Sequence, residues 1–384
     1  MKTNLLLTPG PTKVPEEVYA SFAKPIIHHR TPQFQAHLKE AFEGLKYIFQ
    51  TQNDVFILAS SGTGAMEAAV CNLLSPGDKA ITVEGGKFGE RWTELCKAYK
   101  IEPKVIQVPW GKAVEPAQIE NALKNDKDIK AVFVTQCETS TGVKTDIQAI
   151  ANIVKKTNAV CVVDAISGLS VDDLPMDQWS VDVVVSGSQK GFMLPPGLAF
   201  ISLSAKAWKL VEQSKSPKYY LDLKKAKKAA DKTDTAYTSA ITLIIALNES
   251  IKLIKQRGLQ EHFAYFTRLA QAARAAMKAL GLSLYTDESC LSNAVTAVKV
   301  PEGMDGGKLV KTMRDTYGVT MAGGQGDMKG RIFRIATMGC VNEEDLIAGI
   351  SCLETVLKEM GYAFKQGAGV AAAQKILNSQ KIGV

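Results

Sequence analysis

Lys190 occupies a position in this 384-residue chain where a lysine could act as a nucleophile. It follows the apolar run Val183-Val184-Val185 and the small-residue segment Ser186-Gly187-Ser188, and it precedes Pro195-Pro196-Gly197. Most lysines are solvated surface charges, but an amine placed directly after a core strand can lose its water. Desolvation lowers the pKa of a lysine, and the neutral amine attacks carbonyl compounds. Lys190 is therefore a candidate for covalent carbonyl chemistry.

Two further charged residues lie in apolar strand sequences. Asp164 ends the run Val160-Cys161-Val162-Val163, and Arg334 lies inside Ile332-Phe333-Arg334-Ile335. A charge buried in such a strand is costly unless it is paired. Asp164 either caps the following turn or keeps a ring nitrogen protonated. Arg334 pairs either with an internal carboxylate or with a substrate carboxylate, which a guanidinium can bind through two parallel hydrogen bonds.

The segment Ser61-Gly62-Thr63-Gly64 joins an apolar run directly to a helical pattern. Small residues at a helix N-terminus let backbone N–H groups approach an anion such as phosphate. A tight turn with a Ser or Thr cap is an equally simple interpretation. A third is a dinucleotide fingerprint, in which Glu84 would bind a ribose. Glu67 stands where that fingerprint requires its third small residue, which weakens the dinucleotide interpretation.

Considered together, these features favour one cofactor over another. An anion cradle, a carboxylate, an activated lysine and an arginine for carboxylates match pyridoxal 5′-phosphate chemistry. Hydride transfer by a nicotinamide has no need for the lysine. We therefore expect pyridoxal 5′-phosphate at a site formed by these residues.

The predicted secondary-structure elements that position these candidate site residues alternate between strands and helices. Strands are predicted at residues 54–58, 79–83, 104–108, 131–135, 159–164, 181–186 and 198–203, with helical periodicity between most of them. Continuous apolar runs of this kind are typical of a parallel sheet that is buried on both faces. Ligands of such sheets bind beyond the carboxyl ends of the strands.

After Thr238 the pattern changes to that of a smaller α+β unit. Helices are predicted at 239–257, 259–280, 307–317 and 343–360, and strands at 294–300 and 331–335. We predict an N-terminal arm (1–20), a large cofactor-binding domain with a mostly parallel α/β sheet (21–256), a small C-terminal domain (257–365) and a tail (366–384).

Composition excludes several classes of protein. Hydrophobic residues make up 46% and charged residues 22% of the chain, which is ordinary globular usage. The net charge of +7 comes from scattered Lys and Arg, so no nucleic-acid partner is expected. The seven cysteines include no CxxC pair, which predicts reduced thiols and no metal site. No apolar stretch reaches about 18 residues, so we expect no membrane span and a cytoplasmic location.

Over nearly its whole length, from Thr8-Pro9-Gly10-Pro11 to about Met360, the sequence resembles the class V, fold-type I aminotransferases. The alanine–glyoxylate and serine–glyoxylate (serine–pyruvate) aminotransferases are the group it resembles most. The motifs that carry the resemblance are Ser61-Gly62-Thr63-Gly64, Glu138-Thr139-Ser140-Thr141-Gly142, Val163-Asp164-Ala165, Ser186-Gly187-Ser188-Gln189-Lys190 with Pro195-Pro196-Gly197, and Phe333-Arg334-Ile335.

The resemblance implies a role for each site residue. Lys190 carries the cofactor as a Schiff base, and Asp164 pairs with the pyridinium nitrogen. The remaining assignments are Ser61, Gly62, Thr63 and Gln189 for the phosphate, Thr139 for the ring hydroxyl, Phe88 for stacking on the ring, Arg334 and Gly10 for the substrate, and Thr238 for the phosphate of the partner subunit. The last assignment implies a homodimer with shared active sites. Family members often have Trp at the position of Phe88 and Tyr at that of Thr235.

The implied reaction is a ping-pong transamination. A small amino acid, alanine or serine, gives its amino group to glyoxylate or pyruvate, because no second arginine is clearly placed for a side-chain carboxylate. One alternative is a cysteine desulfurase-like lyase of the same class, with Cys340 as the nearest candidate for its persulfide. Cys340 lies too close in sequence to the strand of Arg334 to belong to the mobile loop that carries such a persulfide. The other alternative is a non-catalytic, hydrogenase-associated subunit.

Overall fold

The computed structural model describes residues 5–379 and is dominated by two β-sheets. In the seven-stranded sheet the order is β2-β10-β9-β8-β5-β3-β4, and in the four-stranded sheet it is β1-β12-β13-β11, with β6 and β7 forming a short hairpin. The strands within these residues are β1 (Leu5–Leu7), β2 (Val55–Leu58), β3 (Lys79–Glu84), β4 (Glu102–Gln107), β5 (Ile129–Thr135), β6 (Cys137–Glu138), β7 (Val143–Lys144), β8 (Val160–Asp164), β9 (Val183–Gly187), β10 (Ala199–Leu203), β11 (Val295–Lys299), β12 (Val319–Gly323) and β13 (Ile332–Ala336).

Helices cover both faces of the large sheet and one side of the small one. Those in the described residues are α1 (Glu16–Phe22), α2 (Pro32–Phe49), α3 (Gly62–Leu73), α4 (Lys87–Ala98), α5 (Pro116–Asn125), α6 (Ile147–Val154), α7 (Met176–Trp179), α8 (Ala205–Gln213), α9 (Leu223–Ala230), α10 (Ile241–Arg257), α11 (Leu259–Ala279), α12 (Gly306–Tyr317), α13 (Glu343–Glu359) and α14 (Ala368–Ser379). Within residues 5–379, no helix combines the length and the apolar character needed to cross a membrane.

The large sheet is mostly parallel, as predicted. Strands β3, β4, β5, β8 and β9 run parallel, and only β10 is antiparallel to its neighbours β9 and β2. Alternate residues of β8 belong to two different hydrophobic cores. Cys161 and Val163 share one core with residues of α2, α6 and α10. Val160 and Val162 share the other with residues of α3, α4 and α8. This two-sided burial is the reason that the strand sequences are continuously apolar.

The register of the large sheet brings the ends of its parallel strands together. Asp164 at the end of β8 pairs with Thr135 of β5 and with Val185 of β9. The loops that follow these strands therefore meet at one edge of the sheet. The predicted strands of both units begin and end within two residues of those in the structure.

Two strands of the small sheet, β1 and β12, are absent from the predicted elements. Strand β1 pairs in parallel with β12, so residues 5–7 of the predicted N-terminal arm lie in the same sheet as β11 and β13. Helix α14 of the predicted tail buries Ala373 and Leu377 in the core that contains α11 and α13. The predicted division into four segments stays a prediction, and its residues 1–4 and 380–384 lie outside the described part of the chain.

Candidate functional site

A cavity lies at the carboxyl ends of five parallel strands, β2, β3, β5, β8 and β9. It contains eight of the residues singled out in the sequence, together with four others. The residues that line it are Ser61, Gly62, Thr63, Phe88, Arg91, Cys137, Thr139, Asp164, Ile166, Ser167, Gln189 and Lys190. The predicted site residues from five separate parts of the chain therefore converge, as the topology of a parallel sheet requires.

Lys190 is buried, with only 8% of its surface exposed. Burial lowers the pKa of its amine from the ordinary 10.5 to about 8, although the nearby Cys137 and Asp164 act in the opposite direction. Its Nζ donates a hydrogen bond to the carbonyl oxygen of Pro9. About a tenth of Lys190 is thus a neutral amine at pH 7, and the neutral form is the one that attacks carbonyls.

Gly10 lies directly against this amine. Its φ is +121°, and a Cβ built on it would lie 2.5 Å from the Nζ of Lys190. A side chain at position 10 would therefore displace the lysine. Glycine is the residue that fits beside this amine, and the assignment of Gly10 to the substrate stays a prediction.

Asp164 is buried at the end of β8, where burial raises the pKa of its carboxyl to about 7. Its Oδ1 accepts a hydrogen bond from the N–H of Ile166 at 2.8 Å. This bond and the positive charges of Arg91 and Lys190 oppose the effect of burial. A cation placed against the free side of this carboxylate would stabilise its ionised form, because an opposite charge at short range lowers a carboxyl pKa.

The N-terminus of α3 is open to an anion. Ser61 is the N-cap residue, but its side chain makes no capping hydrogen bond. The first N–H groups of a helix have no partner within the helix, and the helix dipole favours a negative charge there. Next to them, the side-chain Oε1 of Gln189 is buried without a hydrogen-bond partner among residues 5–379. An anion would satisfy the N–H donors, whereas the amide oxygen of Gln189, itself an acceptor, requires a hydrogen-bond donor.

Arg334 is buried at 5% exposure on β13. Its Nε and one terminal nitrogen donate to the carbonyl of Gly323, and its other terminal nitrogen donates to the carbonyl of Thr139 at 2.9 Å. Within residues 5–379, no carboxylate lies within ion-pair distance of it, so the alternative of an internal carboxylate does not hold. Three of its five N–H groups are used, which leaves two for an external carboxylate. Burial lowers the pKa of Arg334 to about 10, so the side chain stays positive at neutral pH.

Thr238 lies apart from this cavity. It lines a second one with residues such as Phe42 and Tyr220. Nearby, the hydroxyl of Thr235 donates to the carbonyl of Tyr237, and the ring of Tyr237 stacks on Tyr220 with 5.1 Å between centroids. The predicted contact of Thr238 with a partner subunit stays a prediction.

Four residues of the cavity were not singled out in the sequence: Arg91, Cys137, Ile166 and Ser167. Arg91 could have been found, because it follows Phe88 by three positions in a predicted helix and so shares its face. It donates to the hydroxyl of Thr63 at 3.0 Å. Ser167 accepts a hydrogen bond from Thr139 at 2.7 Å, a contact between two loops that local patterns do not reveal.

The residues required by the rival interpretations do not line the cavity. Glu84, the candidate ribose-binding acid, accepts a hydrogen bond from Gln107 on the neighbouring strand β4. Cys340, the candidate for a persulfide, is partly buried against the core of the large sheet. The geometry therefore gives no support to the dinucleotide or the desulfurase interpretation.

Comparisons with known proteins cover almost the full chain. Residues 6–335 match the family model described as Aminotransferase class-V. The chain is 46% identical over 379 residues to the soluble hydrogenase, small subunit, of Synechococcus sp. (strain PCC 6716), covering 98% of each chain. It is 38% identical over 378 residues to the L-aspartate–glyoxylate aminotransferase of Paracoccus denitrificans (strain Pd 1222), covering 97% of this chain and 96% of the relative. The crystal structure of ureidoglycine–glyoxylate aminotransferase from Bacillus subtilis matches with a TM-score of 0.94 and 27% identity, covering 98% of each chain.

Proposed function

Because the chain belongs to the class-V aminotransferase family, we propose that it uses pyridoxal 5′-phosphate to transfer an amino group from alanine or serine to glyoxylate or pyruvate. The observation that carries the proposal is the convergence of Lys190, Asp164 and the N-terminus of α3 on one cavity. The predicted fold, a fold-type I transferase with a large mostly parallel sheet, agrees with this family.

The cavity fits the cofactor. The uncapped start of α3 suits its phosphate, which Ser61, Gly62 and Thr63 would hold, with Gln189 beside them. Asp164 would pair with the ring nitrogen. The other contacts we assign are Thr139 to the ring hydroxyl and Phe88 to the ring face. When bound, pyridoxal 5′-phosphate supplies a carbonyl carbon for the amine and a ring that withdraws electrons from the substrate Cα.

Lys190 and Asp164 have separate roles in the reaction. Lys190, as a free amine with a lowered pKa, would take the proton from the substrate Cα and deliver it to the former carbonyl carbon of the bound cofactor, so that the amino group stays on the cofactor. Asp164 stays ionised beside the ring nitrogen and keeps that nitrogen protonated. The buried position of both groups excludes water, which strengthens their electrostatic interactions. The same residues serve the acceptor, so the cycle is ping-pong.

The contacts of two arginines, Arg334 and Arg91, argue for small substrates. Arg334 is held by the carbonyls of Thr139 and Gly323 and has two N–H groups left for an α-carboxylate. Arg91 is bonded to Thr63, on the side that we assign to the phosphate. With Arg334 assigned to the α-carboxylate and Arg91 to the phosphate side, no arginine that lines the cavity in residues 5–379 remains for a second carboxylate on a substrate side chain.

The test of this function is an assay with matched donors and acceptors. We expect alanine or serine, paired with glyoxylate or pyruvate, to give a kcat/KM at least about tenfold above that of aspartate, since an unpaired buried carboxylate costs more than 1.4 kcal/mol. A preference for aspartate would contradict the proposed substrate class. An absence of transamination with every pair would contradict the proposed activity.

Replacing Arg334 with alanine should raise KM for the amino donor and lower kcat/KM by about 100-fold or more, because two hydrogen bonds from a charged group are lost at about 1.5–3 kcal/mol each. Steady-state kinetics with alanine measure the effect. Arg274→Ala is the control, since Arg274 is half-buried and donates to the carbonyl of Ser292, outside the cavity. An unchanged KM in Arg334→Ala would show that another group binds the carboxylate.

The rate at which the apoenzyme captures pyridoxal 5′-phosphate should rise with pH and level off above about pH 8, the pKa of Lys190. Below that value the protonated amine cannot attack, so the rate falls about tenfold for each pH unit. Stopped-flow absorbance of the bound cofactor measures it. A midpoint near the ordinary lysine value of 10.5 would contradict the burial of this amine.

We further propose a cytoplasmic homodimer in which Thr238 reaches the phosphate bound to the partner. The support is the surface beside Thr238, where Tyr219 is 71% and Tyr220 49% exposed. Exposed aromatic side chains next to one another are typical of protein interfaces. Sedimentation at the mass of one chain would contradict the dimer.

The non-catalytic alternative has the support of the hydrogenase name of one relative. It gives no reason for a buried lysine and a buried carboxylate in one cavity, or for a buried arginine bonded to the Thr139 loop of that cavity, since each of these lowers the stability of the fold. Catalysis accounts for all three.

A further inference from the structure

Glu138 is a buried carboxylate that the proposed reaction does not use. It is 4% exposed, and burial raises its pKa. Its Oε1 accepts from the N–H and the hydroxyl of Ser140, at 3.1 and 2.5 Å. Its Oε2 accepts from the N–H groups of Phe88 and Gly89, at 3.1 and 2.9 Å. Four donors from two separate segments thus converge on one carboxylate.

Two of these donors belong to the first turn of α4. The N–H groups of a first turn have no partner within the helix, and a negative charge there is favoured by the helix dipole. This turn carries Phe88 and Arg91, which both line the cavity. The contact is close, because a Cβ on Gly86 would lie 2.4 Å from Cδ of Glu138. Glycine at position 86 therefore allows the carboxylate to reach the helix.

The loop of Glu138 also supports the opposite side of the cavity. The carbonyl of Thr139, the next residue, accepts the hydrogen bond from Arg334. The negative charge of Glu138 also raises the pKa of Arg334, against the effect of burial. Glu138 thus binds the backbone of Phe88 through its side chain and precedes the residue whose carbonyl holds Arg334.

We infer that Glu138 is a positioning residue: its carboxylate fixes the first turn of α4, so that Phe88 and Arg91 face the cofactor, and fixes the Thr139 loop that holds Arg334. This inference rests on the proposed function, since it assumes pyridoxal 5′-phosphate in the cavity. A carboxylate is required because both oxygens accept hydrogen bonds. A glutamine would turn an NH₂ group toward N–H donors.

The experiment compares Glu138→Gln with a matched control, Glu354→Gln. Glu354 is also buried, at 5% exposure, and accepts from the N–H groups of Gly367, Gly369 and Val370 at the start of α14, in the core of the small sheet. Both variants lose the same kind of contact. Titration of each apoenzyme with pyridoxal 5′-phosphate gives its dissociation constant, and the pH midpoint of the visible band reports the surroundings of the bound cofactor.

We expect Glu138→Gln to weaken cofactor binding by about tenfold or more and to shift the pH midpoint, and Glu354→Gln to change neither by more than about twofold. Wild-type values for both quantities in Glu138→Gln would overturn the inference and leave the proposed function intact. If Glu138→Gln does not fold, Ser140→Ala is measured in its place. It removes one hydrogen-bond donor to Glu138 and should weaken the binding of the cofactor about threefold. No change in Ser140→Ala would also overturn the inference. A wild-type protein without a visible band would overturn the proposed function and the inference together.

Discussion

Lys190→Ala is expected to lower kcat by about 10³-fold or more, because it removes the amine that binds the cofactor and the base that moves the Cα proton. The variant should bind pyridoxal 5′-phosphate without a covalent bond, so that gel filtration strips the cofactor from it. Transamination between alanine and glyoxylate, followed by the release of pyruvate, measures the loss.

Two further variants distinguish the loss of the nucleophilic amine of Lys190 from the loss of a positive charge. Lys190→Arg keeps a cation in the cavity but cannot form the covalent bond, so we expect it to be as inactive as the alanine variant. Lys144→Ala is a control, since Lys144 pairs with the buried Asp172 and does not line the cavity. It should keep wild-type kcat. Substantial activity in Lys190→Ala would show that another residue carries the cofactor.

Asp164→Asn has the second-largest expected effect, a fall in kcat of about 10²-fold or more, the scale seen when a preorganised electrostatic partner is removed. An asparagine can still accept the hydrogen bond from the N–H of Ile166, so the geometry is kept while the charge is lost. The cofactor should remain attached to Lys190. The variant therefore isolates the ionic pair with the ring nitrogen.

The apoenzyme and the cofactor-bound enzyme should differ in their pH dependence because of Asp164. Burial raises the pKa of Asp164 to about 7 in the empty cavity, so the carboxyl is mostly protonated below that pH. A positive ring nitrogen lowers the pKa of Asp164, so the activity of the cofactor-bound wild type should persist below pH 7. The apoenzyme, in contrast, should lose affinity for the cofactor as the pH falls through 7. Spectrophotometric titration at several pH values tests this.

Asp182→Asn is the matched control for Asp164→Asn. Asp182 is also buried, and it accepts from the N–H of Cys161 at 2.9 Å and from the hydroxyl of Ser204 at 2.8 Å, at the opposite ends of β8 and β9. It should lose stability without any change in the visible spectrum. Equal kcat values for Asp164→Asn and the wild type would contradict the role of Asp164.

The sequence was most informative where local pattern and burial coincide. Strands β8 and β9 are buried on both faces, so their apolar runs were recognisable, and Asp164 and Lys190 stood out as charges at their ends. Parallel pairing then required the two ends to meet. For these residues the site follows from the continuous apolar runs and from the direction of the strands.

Contacts between distant segments could not be predicted in the same way. The pairing of β1 with β12, which brings the chain start into the small sheet, involves a strand of three residues with no distinctive pattern. The alternative partners of Arg334 stayed open because they depend on which loop lies beside it. The structure shows two backbone carbonyls there. Glu138 lies in a motif that carried the family resemblance, but its bonds to α4 join residues 49 and 50 positions apart.

The most direct test of the account is reduction of the purified protein with borohydride after addition of pyridoxal 5′-phosphate, followed by peptide mapping. The account predicts a visible absorption band that disappears on reduction and a cofactor adduct on the peptide containing Lys190. An adduct on a different lysine, or no band at saturating cofactor, would contradict it.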